Sequence, residues 1–140
     1  MDRANWQDLA EERVLAAQAL LAAKHWSSAY YLAGYAVECG LKSCILVRLS
    51  ANPRIIFEEK RFSEKCWSHR IEDLLHLAGL DAVLSVDIAA ASPLGANWAV
   101  VNKWSEQSRY QHRTQNDAEA LCNAISDNIN GVMKWIRTHW

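Results

Sequence analysis

The sequence predicts an all-α fold, a bundle of long helices joined by shorter ones, on three observations. Only 5 Gly and 2 Pro interrupt a 140-residue chain that is 51% hydrophobic, which favours long regular elements over a turn-rich β architecture. The run from Ala29 to Leu49 is apolar nearly all round, the pattern of a helix buried on most sides. Near the end, Ala118, Cys122, Ile125, Ile129, Val132 and Ile136 advance by four, three, four, three and four residues, a single helical stripe.

The elements follow in order. Residues Asn5 to Lys24 are rich in Ala and Leu, with Asp8, Glu11, Glu12 and Arg13 near the front, and predict a first helix with a negative first turn. The central helix ends near Ser50, because Asn52-Pro53 disfavours helical geometry and removes a backbone donor. Residues 51 to 66 mix Arg54, Lys60, Arg61 and Lys65 with Glu58, Glu59 and Glu64 without a period, and are expected to be an exposed connection. Ser68 is placed as the cap of a short helix bearing Ile71, Leu74, Leu75 and Ala78, closed by Gly79. Asp81 caps another, and Ser92-Pro93 opens a third, as N-cap and first helical residue, with Trp98, Val101 and Trp104. The last helix is expected from Asn116 to Thr138, started by a capping box in Thr114-Gln115-Asn116-Asp117.

Composition bounds the function. A chain of this length is most simply one domain, residues 1–140. A formal net charge of -1 offers no global attraction to nucleic acid or to an anionic membrane, so phosphate recognition must come from a local cluster. Of Cys39, Cys44, Cys66 and Cys122, three sit in apolar runs as small hydrophobes, and no disulfide framework is expected. With no leader pattern and no apolar run of about 20 residues, the expected location is cytoplasmic, off the membrane. Glycine-rich phosphate loops, paired-carboxylate metal motifs and an arguable Ser-His-Asp order are absent, and no cofactor is expected.

The stretch "WSEQSRYQHRTQNDAE" gathers Arg109, Tyr110, His112 and Arg113 ahead of a helix start. Free N–H groups at such a start, with nearby arginines, would make an anion site suited to phosphate; the plain alternative is a solvated loop with Arg109 paired to Glu106 or Glu119. Glu38 and Lys42 are the only charges between Trp26 and Val47, at the favourable i,i+4 order, and are read as a structural pair tying the central helix to a neighbour or a partner subunit. Gly34 inside that helix points to close approach by a backbone or a ring. Cys66-x-x-His69 with His76 and His112 lacks a second ligand pair, so no metal site is expected. The seven tryptophans are read as core and interface material, with Trp140 covering a patch or a dimer seam.

The segment "WSSAYYLAGYAVECGLKSCI" resembles the signature helix of the HEPN family, the higher eukaryotes and prokaryotes nucleotide-binding domain, through Ala29, Ala33, Ala36, Glu38, Leu41 and Lys42. "SHRIEDLLHLAGL" and "WSEQSRY" resemble two further family segments, in the family's order. The resemblance implies a four- to five-helix up-and-down bundle, a homodimer, and a minimal nucleotidyltransferase partner in a toxin–antitoxin pair. It also implies a choice of chemistry. Family ribonucleases act without metal through an arginine and a histidine with four to six residues between them; here Arg109 and His112 enclose only Tyr110 and Gln111. That favours nucleotide or phosphate binding at Arg109, Tyr110, His112 and Arg113 over endoribonuclease catalysis by Arg109 and His112. A dimeric interaction module without a ligand is the third reading.

Overall fold

Asp2 caps the first helix, which begins at Arg3, two residues ahead of the sequence expectation. Its carboxylate accepts from the Asn5 N–H at 2.8 Å while the Asn5 side chain accepts from the Asp2 N–H at 3.0 Å, so two donors left free by the helix are satisfied reciprocally. The computed structural model describes residues 1–140, and every regular element in it is helical. They are α1 (Arg3–Ala22), α2 (Trp26–Ala51), α3 (Ile55–Glu58), α4 (Phe62–Lys65), α5 (Ile71–Leu77), α6 (Asp81–Ala90), α7 (Ser92–Val101), a 3₁₀ turn (Glu106–Tyr110), α8 (Gln115–Ser126) and α9 (Val132–Arg137). No helix is long and apolar enough to cross a membrane.

The first turn of α1 holds no acidic residue, a correction that follows from the earlier start. Ala10, Val14 and Ala17 form its buried stripe, and their small size lets α1 lie closely along α2, its most extensive neighbour. Lys24 takes a left-handed conformation (φ 64°) in the short link between the two helices.

α2 is the axis of the core. It packs against α1, α5, α8, α9 and the 3₁₀ turn, which explains its apolar circumference. One hydrophobic cluster of 32 buried residues surrounds it. At its far end the Arg48 guanidinium donates to the Leu77 carbonyl at 2.7 Å, closing the end of α5 where Gly79 (φ +72°) turns the chain away.

Several boundaries differ from expectation for local reasons. Residues 51–66 are the mostly exposed connection expected, but it contains two single-turn helices, α3 and α4, anchored by the buried Ile55 and Phe62. Ser68 does not cap α5; its hydroxyl accepts from the Arg70 N–H at 3.1 Å and donates to Asp73 at 3.2 Å, and the helix begins at Ile71. Asp81 is the first residue of α6 rather than its cap, with its carboxylate 2.6 Å from His76 Nδ1. In α7 the cap position is Ala91, which shifts Pro93 one place inward.

The largest correction concerns the last helix, which is two. The Asp127 carboxylate accepts from the N–H groups of Ile129 (3.2 Å) and Asn130 (2.6 Å), an Asx turn that diverts the backbone from helical pairing. Gly131 fits only without a side chain, since a Cβ there would lie 2.4 Å from the Asp127 carbonyl oxygen. Ile129 of the predicted stripe is consequently 76% exposed, while Val132 and Ile136 return to the core on α9. The bidentate contact from Arg137 to Glu11, at 2.6 and 2.8 Å, ties α9 to α1.

Candidate anion-binding site at the start of α2

The chain reaches α2 through Lys24 and His25, and no side chain caps the helix's first turn. The first N–H groups of a helix have no intrahelical acceptor, and they carry roughly half a positive charge. Ser27 and Ser28 stand on this turn.

Thr114 brings the second half of the site here. Its hydroxyl accepts from the Asp117 N–H at 3.1 Å and the Asp117 carboxylate accepts from the Thr114 N–H at 3.2 Å, the capping box read from the sequence. That arrangement fills the start of α8 with its own carboxylate, so α8 does not offer the open helix end. Arg113 instead lies against α2: its backbone N–H donates to the Ser27 hydroxyl at 2.9 Å, and its guanidinium lies over the Tyr30 ring at 4.3 Å. One Nη donates to the Gln111 side chain at 2.7 Å, while Nε is enclosed without an acceptor. Ser27, accepting from Arg113, keeps its own O–H free to donate.

A depression of about 330 Å³ is bounded by Lys24, His25, His112 and Arg113 around Ser27 and Ser28, and no carboxylate lines it. In a chain of net charge -1 this is a local concentration of cationic and protonatable groups at a positive helix end. A second depression of about 440 Å³ lies on the other side of Ser27 and Ser28, walled by Leu20, Tyr31, Leu32 and Arg109, with the buried Ser108 beneath.

Arg109 pairs with neither carboxylate expected for a solvated loop. Its guanidinium donates to the Tyr31 hydroxyl at 3.0 Å and sits 5.5 Å and 5.9 Å from the ring centres of Tyr31 and Tyr110. The hydrogen bond to Tyr31, followed by the influence of Tyr110, raises the pKa of the guanidinium. Tyr31 stacks on Tyr35 (6.1 Å, 9° between planes) and leans on Trp104 (6.0 Å), so the arginine rests on an aromatic shelf fixed by the core. Glu106 goes to His69 Nε2 at 3.3 Å, and Glu119 accepts from Gln115 at 2.8 Å. Arg109 and His112 therefore face different depressions that meet only at Ser27 and Ser28.

Lys24, His25, Ser27, Ser28 and Tyr31 join the four residues singled out from the sequence. The signal for them was local: Lys24 and His25, then Trp26 and two serines, where a long helix begins.

The largest depression, about 550 Å³, is elsewhere, between α4 and α6, and holds Lys65, Glu72, Asp73, His76 and Asp81. Mixed charges and the internal His76–Asp81 contact give it no net preference for an anion. Glu38 and Lys42 form an i,i+4 ion pair at 2.9 Å, buried within α2. His69 Nδ1 lies 3.0 Å from the same Glu38 oxygen. Of the thiols, burial pushes Cys39 and Cys44 up to about 12 and Cys122 to about 11, and it also raises the half-buried Cys66. In comparisons with known proteins, no family model, curated protein or solved structure matches the chain.

Proposed function

We propose that the chain is a HEPN-type helical bundle that binds a nucleotide or another phosphate compound at the start of α2. The observation that carries this reading is the depression in which Lys24, His25, His112 and Arg113 converge on an uncapped helix end with no carboxylate on its walls. A phosphate there would accept from the free backbone N–H groups and the Ser27 and Ser28 hydroxyls, and would neutralise the surrounding cations. Arg109, Tyr110 and Tyr31 stand across the serine ridge, where the remainder of a phosphate compound would extend. A homodimer and a nucleotidyltransferase partner belong to the same proposal, on the family resemblance of the α2 segment.

The test is a thermal-shift and calorimetric titration with inorganic phosphate, AMP and ATP. Stabilisation by phosphate compounds that is lost in Arg113→Gln and weakened by salt supports the reading. A stable protein with no shift for any of them leaves the ligand-free interaction module.

A second reading is favoured by the shared serine ridge: a phosphodiester laid across Ser27 and Ser28 would have Arg109 on one side and His112 on the other. The arginine would then stabilise charge on the phosphate and the histidine would move a proton to or from a ribose oxygen, without metal. RNA cleavage abolished in both Arg109→Ala and His112→Ala would establish the ribonuclease. Intact RNA after long incubation would dismiss it.

A further inference from the structure

Ile129 belongs to the apolar stripe that runs from α8 into α9, yet the fold holds it out in solvent, 76% exposed. It is held there firmly. The Asp127 carboxylate accepts from the N–H groups of Ile129 and Asn130, the Lys134 amino group donates to the Asn128 carbonyl at 2.8 Å, and the Asn97 side chain donates to the Asn130 carbonyl at 2.8 Å. Every residue from Asp127 to Asn130 is thereby tied to a neighbour. An apolar side chain displayed on so fixed a turn loses little freedom on being covered, which suits it as an anchor for a partner.

A hole lies beside this knob. An apolar groove of about 310 Å³ runs between α6 and α9, with Ala90 and Leu94 on one wall, Trp135 and Thr138 on the other, and Ile129 on the α9 side. The outer face of α6 continues the apolar surface: Val86 is 68% exposed, and Ala82, Val83 and Ala89 are exposed as well. Between Asp81 and Lys103 the only charge is Asp87. Contiguous apolar surface of this kind marks an interaction site.

The charges of the groove identify the occupant. Asp87 stands on the α6 wall, where its Oδ2 accepts from Trp135 Nε1 at 2.7 Å, and Lys134 stands on the α9 wall, held by the Asn128 carbonyl. Both are fixed in place, and neither is in an ion pair. A twofold axis along the groove sets the α6 wall of one copy against the α9 wall of the other, because an isologous contact uses the same patch twice. Ile129 of each copy then meets the apolar α6 wall of its partner, and the acid of one wall meets the base of the other on both sides of the axis. The ten-residue α6 is about 15 Å long, so the face belongs at the small, reversible end of specific interfaces.

We propose that the groove between α6 and α9, with Ile129 at its rim, is the seam through which two copies of this chain associate. The proposal rests on the homodimer of the reading above and gives it a location; it is independent of the phosphate depression.

Sedimentation velocity of the full chain over a wide concentration range should show a reversible monomer–dimer equilibrium. Ile129→Arg should weaken association tenfold or more, and so should Lys134→Glu, which sets acid against acid across the axis. Both variants should melt close to the wild type at concentrations where all are monomeric. A wild type that stays monomeric throughout overturns the seam and the homodimer together, leaving the groove to a different protein. A wild-type dimer whose association is unchanged in the two folded variants overturns the seam alone. Hydrogen exchange of the wild type at low and high concentration needs no variant: amides at 86–91 and 129–135 should gain protection several-fold on association. Protection gained only elsewhere overturns the seam and leaves the homodimer standing. Neither measurement contains a phosphate ligand, so failure of the binding reading would show separately, as absent phosphate stabilisation in a chain that still associates.

Discussion

The indole of Trp104 occupies the space where a side chain at Gly34 would stand: a Cβ built on that glycine would lie 2.2 Å from the ring. The missing side chain lets the segment after α7 press its aromatic ring onto the middle of α2, and Tyr31 packs on the other part of the same ring. The order of this contact fixes the shelf under Arg109.

Gly34→Ala should therefore lower stability despite the better helix propensity of alanine. Overpacking costs about 1–3 kcal/mol, against roughly 1 kcal/mol gained from propensity, and a 2.2 Å overlap with a buried ring belongs at the upper end. Urea unfolding should show the loss. Near-ultraviolet dichroism should show a displaced tryptophan, and an unchanged midpoint and spectrum would contradict the packing described.

The same position marks how far the sequence could be read. A glycine inside a buried apolar helix signalled close approach, but the spacing could not say that the intruder would be Trp104. The long helices were legible because their stripes are long. The split between α8 and α9 was not, because Ile125, Ile129, Val132 and Ile136 keep a helical period across a break made by Asp127 and Gly131. Periodicity records which residues are apolar, whereas the turn depends on a carboxylate competing for two N–H groups. Arg109, Tyr110, His112 and Arg113 were visible as a cluster. Their partner helix was not, since the residues completing the depression lie some eighty positions upstream, and the expected open end of α8 is occupied by Asp117.

Lys42→Met should be costly. Removing one member of a buried ion pair leaves an uncompensated charge, at about 3–5 kcal/mol, and here the charge left is Glu38 at 1% exposure. The double replacement of Glu38 and Lys42 by apolar residues should recover much of that loss, as a double-mutant cycle by denaturant unfolding would show.

Thr114→Ala removes the hydroxyl half of the α8 capping box, leaving the Asp117 carboxylate half, and should cost about 1 kcal/mol. Because Arg113 precedes the cap, the variant should also weaken phosphate binding by more than its stability loss alone would, measured by calorimetry well below the melting temperature.

The buried thiols set a pH limit. Cys39 and Cys44 have a folded pKa of about 12, raised by burial from an ordinary 9, so below pH 9 both folded and unfolded thiols are protonated and the folded state keeps its full stability. Above pH 9 the unfolded thiols ionise first, and stability falls by about 1.4 kcal/mol per pH unit for each thiol until the folded pKa is reached. Tyr30 and Tyr35, also raised by burial, act in the same direction at higher pH. Thermal melts from pH 8 to pH 11 should fall accordingly, and Cys39→Ala should shallow the slope.

Arg113→Gln should remove phosphate-dependent stabilisation while changing the melting temperature of the ligand-free protein little, because the guanidinium packs on Tyr30 without an ion pair. Its backbone contact to Ser27 does not depend on the side chain.

The pairing of α1 with α2 has a kinetic corollary. Helices joined by a link as short as Ala23–His25 make their contacts over small sequence separations, which favours early formation in folding. The walls of the phosphate depression come from that hairpin and from residues beyond position 107, so the depression is assembled only after the carboxyl-terminal third has docked. A nascent chain would carry the helix hairpin well before it had anywhere to hold an anion. Refolding followed by pulsed hydrogen exchange should therefore protect α1 and α2 before the amides at 111–113.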